Sequence, residues 1–399
     1  MPSQDTSADA TTRSVRAGIE SDEQYGAVVP PLYLSSNFSF AAFGEKRRYD
    51  YTRSGNPTRD TLGDALADLE GGAGAIITSS GMAALNVLVQ LLEPGDLFVV
   101  PHDCYGGSYR LFETLAGKGH FELLFVDQTD DKTLAAAFAR KPRLVLTETP
   151  SNPLLSIVDI RKIATQVKAC GAIYAVDNTF LSPALQQPIL LGADIVIHST
   201  TKYINGHSDV VGGALITASD ELQEKMSWWA NCIGATGAPF DSFLTLRGLR
   251  TLQVRIRQHE ESASRLAQLL DRQDSVRKVY YPGLASHEGH AIAARQQKGF
   301  GGMVSIEIDG GQNAVRAFVE KLQHFSLAES LGGVESLVCH PATMTHAPLD
   351  EAALKTAGIS QSLIRLSIGL ESSEDLIRDV LQALEAARQA SRITPAAVA

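Results

Sequence analysis

Between residues 61 and 217 the chain repeats one pattern, a short continuous apolar run followed by a helical stretch long enough to cross back over a sheet. The runs are AGAIIT (73–78), LFVV (97–100), ELLFV (122–126), RLVLTE (143–148), IYAVDN (173–178), DIVIHS (194–199) and GALIT (213–217). A strand with one solvated face alternates apolar and polar residues, whereas these runs are apolar throughout and rich in Val and Ile. They predict strands buried on both faces, in a mostly parallel, doubly wound α/β sheet. Ligands of such sheets bind outside the carboxyl ends of the strands. Polar residues collect at that edge: Thr147 and Glu148 end one run, Asp177 and Asn178 another, and His198 to Lys202 a third. A lysine therefore lies in the predicted crevice.

With 399 residues, 44% of them apolar and 20% charged, the chain has room for two or three domains with a large core. A helical pattern over 250–272 leads into a smaller α/β part with strands near MVSIEI (303–308) and LIRLSIG (363–369) and helices at 312–323 and 373–390. The net charge of −10 is spread without a single-sign block, which argues against a nucleic-acid groove or a membrane-surface patch. Cys104, Cys170, Cys232 and Cys339 lie far apart and form no metal-ligand cluster, so no metal is expected and a reducing compartment is. The stretch MPSQDTSADATTRS has no apolar core of a leader, and a cytoplasmic location is the expectation.

The run AIIT is followed by SSGMAALNVLVQLL, Ser and Gly at the mouth of an amphipathic helix. A helix N-terminus offers unpaired N–H groups and partial positive charge, so the backbone of Gly81 and Met82 could hold a phosphate, with the hydroxyls of Ser199 and Thr201 bracketing the same edge. Ser-Gly before a helix is also ordinary capping. The cluster GGAG (71–74) precedes its strand and lacks the third glycine of a dinucleotide fingerprint, and GxxxxGK[ST], HExxH and GxSxG are missing. A phosphate cradle, Lys202 and the strand-end Asp177 together suit a phosphorylated aldehyde joined to the lysine amine, with the carboxylate keeping a pyridine nitrogen protonated. Those are the requirements of pyridoxal 5′-phosphate (PLP).

Taken in order, SSGMAA, PHDCYGGSYRLF, TETPSNP, VDNTF, HSTTKYINGHSD, FSLAESLGGVES and LIRLSIGLE resemble the Cys/Met-metabolism family of PLP enzymes, over residues 14 to 390 or so. The wording of EQYGAVVPPLYLSSNF, DYTRSGNPTRD and WWANCIGATGAPFDS is most similar to the bacterial cystathionine γ-synthase branch. The resemblance implies the aspartate aminotransferase-like fold, with a mostly parallel seven-stranded sheet and a smaller C-terminal α/β domain. It implies an N-terminal arm (1–60) reaching a neighbouring subunit, a PLP-binding domain (61–255) and a C-terminal domain (256–399). Lys202 matches the Schiff-base lysine that also shuttles protons, Asp177 the pyridinium partner, and Tyr105 a residue stacked on the ring that helps proton transfer. Asn152 matches a residue near the ring oxygen, and Gly81, Met82, Ser199 and Thr201 match the phosphate-binding positions.

Tyr51 and Arg53 match residues that reach the phosphate of the neighbouring subunit, so the resemblance implies a homo-oligomer, a dimer of dimers. Arg365 matches the clamp on the substrate α-carboxylate, and Glu329 and Ser330 match the place where the entering side chain is chosen. Arg110 could meet a distal carboxylate, and Asp50 and Asn231 complete the substrate-binding set. The implied reaction is γ-replacement, joining O-succinyl- or O-acetyl-L-homoserine to L-cysteine to give L-cystathionine. The alternatives are γ-elimination of cystathionine and a PLP-binding scaffold without turnover. One position departs from the branch: Ser54 stands where a second arginine is common, which puts the succinyl preference in question.

Overall fold

The structure is a computed structural model that describes residues 8–347, 354 and 357–393; the outermost parts of the expected arm and C-terminal domain lie outside the described residues. All seven apolar runs are strands: β1 (Gly74–Thr78), β2 (Leu97–Pro101), β3 (Glu122–Val126), β4 (Leu144–Glu148), β5 (Ile173–Asp177), β6 (Ile195–His198) and β7 (Gly213–Thr217). They form one sheet in the order β1-β7-β6-β5-β4-β2-β3. The pairings from β3 to β6 are parallel, while β7 runs antiparallel to both β6 and β1. Alternate residues serve opposite faces. Leu144, Leu146, Ala175, Ile195 and Ile197 join one core layer, and Val145, Tyr174 and Val176 join another. Burial on both faces is the reason no polar residue interrupts these runs.

The helix Pro57–Glu70 shows how local sequence sets an element's ends. The Asn56 side chain accepts from the amides of Thr58 and Arg59, Pro57 occupies the first turn, and Gly71 at φ 77° closes the helix in the left-handed region. Glu70, its last residue, is thereby delivered beneath the sheet.

A second sheet contains β8 (Val276–Tyr280), β9 (Met303–Ile308), β10 (Phe325–Leu327), β11 (Ser336–Cys339) and β12 (Leu363–Ser367), in the order β10-β11-β12-β9-β8. The sequence pattern marks only β9 and β12 of these. Strand β8, VRKVY, carries two cations, and β10 and β11 are too short to show a period. Ile364 and Leu366 of β12 belong to the core that this sheet shares with the helices Leu252–Leu270, Gly311–Lys321 and Ser373–Ile393. The period of two then turns Arg365 to the other face, toward the first sheet. Among the described residues no helix is long and apolar enough to cross a membrane.

Arg255, on the helix Leu252–Leu270, is buried and grips the chain just after Lys202. It donates to the carbonyls of Tyr203 (2.7 Å), Ile204 (3.3 Å) and, across the loop, Gly248 (2.8 Å). Gly248 lets its helix approach this loop, since a Cβ there would lie 2.1 Å from the Asn205 carbonyl oxygen. Replacing the guanidinium leaves the Tyr203 and Ile204 carbonyls without their buried donor, while Gly248 keeps the amide and hydroxyl of Thr251. Arg255→Leu is expected to lower the unfolding free energy by about 3 kcal/mol or more. Urea denaturation followed by fluorescence measures it, and an unchanged midpoint would show that the Lys202 loop does not depend on this residue.

Candidate active site

The parallel register decides which residues meet. Glu148 is paired with Asp177, and Asp177 with Ile197, so the loops leaving β4, β5 and β6 open side by side. They line a cavity of about 700 Å³, roofed by Arg365 of β12 and by the segment Ala328–Leu331 after β10. This is the crevice expected at the carboxyl edge, and Lys202, Asp177, Tyr105, Asn152, Gly81, Met82, Ser199, Thr201, Glu329, Ser330 and Arg365 all line it.

Lys202 lies in the turn after β6, its amide donating to the Ser199 carbonyl and its carbonyl accepting from Gly206. Its Nζ donates to Ser330 Oγ at 2.7 Å. Desolvation pulls the ammonium down to about 8, the Arg365 charge adds to the effect, and the Glu329 carboxylate opposes it. About a tenth of the side chain is thus a neutral, nucleophilic amine at pH 7, and the fraction rises steeply toward pH 8. Ser330 itself is held at φ 84°, a region that costs a non-glycine residue conformational energy. Its carbonyl accepts from an Arg365 Nη at 2.9 Å.

The other Arg365 Nη donates to Asn152 Oδ1 at 2.7 Å. The buried Nε of Arg365 has no hydrogen-bond partner among the described residues. A guanidinium tethered at two corners with a buried donor left over is prepared for an anion such as a carboxylate.

Asp177 accepts from the Thr179 amide at 2.9 Å. Burial raises its pKa, while hydrogen bonds from Thr179 and the charge of His198 work against that rise. The neighbouring Glu148 is pushed well above the usual carboxylate range, by burial first and then by Asp177. Glu148 accepts from the backbone amides of Tyr105 (3.0 Å) and Asn152 (3.3 Å), and so sets where both residues stand. In the sequence Glu148 shows itself only as an acid closing an otherwise apolar run, a signal that marks a strand end and no task. Cys104 is buried beside Tyr105, and burial pushes its thiol up, so it supplies no thiolate.

At the far end, the helix Gly81–Leu88 presents its N-terminus to Ser199. Ser80 caps it by accepting from the Ala83 amide at 3.0 Å, leaving the first amides directed outward. A Cβ on Gly81 would lie 2.9 Å from Ser199 Cβ, and one on Gly213 would lie 2.2 Å from the Ser80 carbonyl oxygen. Glycine at both positions is what lets β6, β7 and the helix converge.

Five expected residues lie outside this cavity. Arg53 donates to the Asn231 carbonyl at 2.6 Å, with its guanidinium 5.9 Å from the Tyr51 ring centre. Arg53 and Asn231 line a separate cavity of about 380 Å³ together with Arg48 and Arg59. Asp50 accepts from Lys46 (2.6 Å) and from Ser54 Oγ (2.9 Å), so the departing Ser54 braces the turn that carries Tyr51 and Arg53. Arg110 is exposed on the helix Gly106–Gly117 and does not line the 700 Å³ cavity.

Comparison with known proteins decides the lineage. Residues 11–385 match the family described as Cys/Met metabolism PLP-dependent enzyme. The chain belongs to this family. It is 55% identical to the cystathionine γ-synthase of Escherichia coli (strain K12) over 379 residues, covering 95% of this chain and 98% of that one. It is 46% identical to a cystathionine β-lyase of Lactococcus lactis subsp. cremoris, covering 94% and 98%. A crystal structure of cystathionine γ-synthase from Xanthomonas oryzae pv. oryzae in complex with cystathionine superposes with a TM-score of 0.95 at 62% identity, covering 96% of this chain and 99% of that one.

The residues fit the family's cofactor. A desolvated amine, a carboxyl at one end of the cavity, a glycine-lined helix N-terminus at the other and an aromatic ring between them suit a planar phosphorylated aldehyde, and the volume is that of a ligand site. Because only neutral amine attacks an aldehyde, borohydride-fixed labelling of Lys202 by pyridoxal 5′-phosphate should rise with pH and reach half its maximum near the value of about 8. Glu329→Gln removes the group that raises the lysine pKa and should move that midpoint lower. Peptide mass spectrometry across pH reads both, and a midpoint left in place by Glu329→Gln would sever the link between these residues.

Proposed function

We propose that the chain catalyses γ-replacement, joining an O-acyl-L-homoserine to L-cysteine to give L-cystathionine, with release of the acyl acid. The observation that carries this reading is the agreement of one cavity, holding Lys202, Asp177, Tyr105 and Arg365, with near-complete alignment to cystathionine γ-synthases. Such a step belongs to methionine biosynthesis by transsulfuration.

Bound PLP supplies a pyridine ring that accepts the electron pair left when a proton leaves the carbon beside nitrogen. Asp177 holds the ring nitrogen in its protonated form. Tyr105 and Asn152 would hold the ring, with Asn152 also bracing Arg365. The helix N-terminus at Gly81 and Met82 binds the phosphate with the hydroxyls of Ser199 and Thr201. Arg365 takes the substrate α-carboxylate through two parallel hydrogen bonds. Nζ of Lys202, next to Ser330 Oγ, would take the proton from Cα and then one from Cβ as the acyl acid leaves with the Cγ–O bonding pair; once the cysteine sulfur has given up its proton and bonded to Cγ, it would return protons to Cβ and Cα. Glu329 and Ser330 border the place where the distal end enters.

The missing part of the site comes from a second copy. The arm exposes Tyr25, Val28, Tyr33, Leu34, Phe40, Phe43 and Tyr51, more apolar surface than a lone chain leaves in water. A dimer, doubled to a tetramer, buries these side chains and brings Tyr51 and Arg53 of one subunit to the phosphate of the other, with Asp50 and Asn231 beside the substrate. Arg110, exposed in the single chain, would reach a distal acyl carboxylate only within that assembly.

Incubation with O-succinyl- or O-acetyl-L-homoserine and L-cysteine should yield cystathionine as the main product. Dominant formation of 2-oxobutanoate from cystathionine would instead identify a γ-lyase, and no turnover of any of these compounds by PLP-loaded protein would identify an inactive scaffold. Arg365→Ala should raise KM for the amino-acid substrate by a factor on the order of 30 or more, since it removes one partner of a buried charged contact. Unaltered saturation would remove Arg365 from the carboxylate site.

A further inference from the structure

Behind the strand ends, on the side away from the cavity, lies a polar cluster that the chemistry above does not use. Glu70 and His198 are both fully buried, and His198 Nε2 lies 2.7 Å from Glu70 Oε1. The same carboxylate oxygen accepts from Asn178 Nδ2 at 2.9 Å. Asn178 Nδ2 also donates to the Gln186 carbonyl at 2.7 Å, and Gln186 Nε2 donates to the Thr149 carbonyl and to Asn178 Oδ1, both at 3.0 Å. The network therefore holds the residue after Glu148, the residue after Asp177 and the residue before Ser199. Three strand ends, each carrying part of the cavity, are tied to one carboxylate delivered by the end of a capped helix.

The cluster is costly as mere packing. A carboxylate without solvent demands compensation, and an ion pair in the interior stabilises a fold no better than well-packed apolar side chains. Here Glu70 Oε2 and His198 Nδ1 have no hydrogen-bond partner among the described residues. The arrangement does supply alignment next to Asp177. Asp177 faces Glu148 from β4, which repels a second negative charge; the amide and hydroxyl of Thr179 from its own loop; and His198 from β6, which favours its ionised form.

We infer that Glu70 and His198 are positioning residues for Asp177: the Glu70–His198 contact and the amide network on it lock the ends of β4, β5 and β6 in register and so hold the Asp177 carboxylate against the ring nitrogen of the bound cofactor. The inference rests on the reading of Asp177 as the pyridine-nitrogen partner.

The test uses the PLP-loaded protein and the variants Glu70→Gln and Glu70→Gln/His198→Gln. The double variant puts amide hydrogen bonding in place of both the carboxylate and the imidazole, so that folding does not depend on a lone buried carboxylate. Three quantities are measured: the pH midpoint of the visible absorbance of the Lys202-bound cofactor, the dissociation constant of PLP, and the melting temperature of the cofactor-free protein. With the strand ends loosened, Asp177 holds the ring nitrogen less firmly and the ring draws less charge from the nitrogen of Lys202, so the midpoint should move to higher pH. PLP should bind more weakly by a factor on the order of ten, the loss expected for one weakened charge-assisted contact. A lower melting temperature with the parent's midpoint and PLP affinity would reduce the pair to a structural role and overturn the inference. A parent protein that shows no visible band and no borohydride-fixed Lys202 would overturn the cofactor reading itself, which is a separate result.

Discussion

The parallel pairing of β4, β5 and β6 is the constraint from which the site follows. Adjacent strands stand about 4.8 Å apart, so residues that end neighbouring strands are forced into one another's company however far apart they are in the chain. Glu148 and Asp177 are register partners, and His198 to Lys202 leave the next strand over. Two carboxyl groups that close, partly withdrawn from water, resist ionising together. Burial raises both, the charge of Asp177 raises Glu148 further, and Thr179 and His198 favour the charge on Asp177. A cavity with one anionic wall, a deprotonatable amine and a helix N-terminus is polarised along its length before any ligand enters.

The second sheet completes this cavity through polar contacts. Arg365 reaches Asn152, Lys202 reaches Ser330, and Ser305 Oγ on β9 donates to the Pro153 carbonyl at 2.7 Å. The two halves of the chain are thus joined at the place where substrate would bind, and the residues that make the joint are those with hydrogen-bonding capacity left over. Behind them Arg255 secures the turn after Lys202, so the lysine projects from a backbone that is held on its far side.

Much of the site was legible because its residues occupy positions that local pattern exposes. Lys202, Asp177 and Ser199 follow apolar runs directly, and Gly81 and Met82 open a helix. Arg365 interrupts the apolar string of β12, a polar residue where an apolar one is expected. Glu70 and Gln186 were not legible: each belongs to a stretch that reads as ordinary helix or loop, and their importance comes from contacts across the chain, Glu70 with Asn178 108 positions on and Gln186 with Thr149 37 positions back. The small strands β8, β10 and β11 were missed for a related reason, since their pairing partners, and not their own few residues, make them strands.

Hydrophobic periodicity and strand direction are local properties, so the residues of each segment alone set the period of the first sheet, its carboxyl edge and the chemical kinds gathered there. Tertiary structure decided the rest. It lowered the Lys202 ammonium by desolvation and by the charge of Arg365, set Glu148 against Asp177, and left Arg365 with a free buried donor. It also kept Tyr51, Arg53 and Asn231 together outside the cavity. Desolvation, charge proximity and hydrogen-bond vacancy depend on distances between residues remote in the chain, and no pattern within a single segment encodes them.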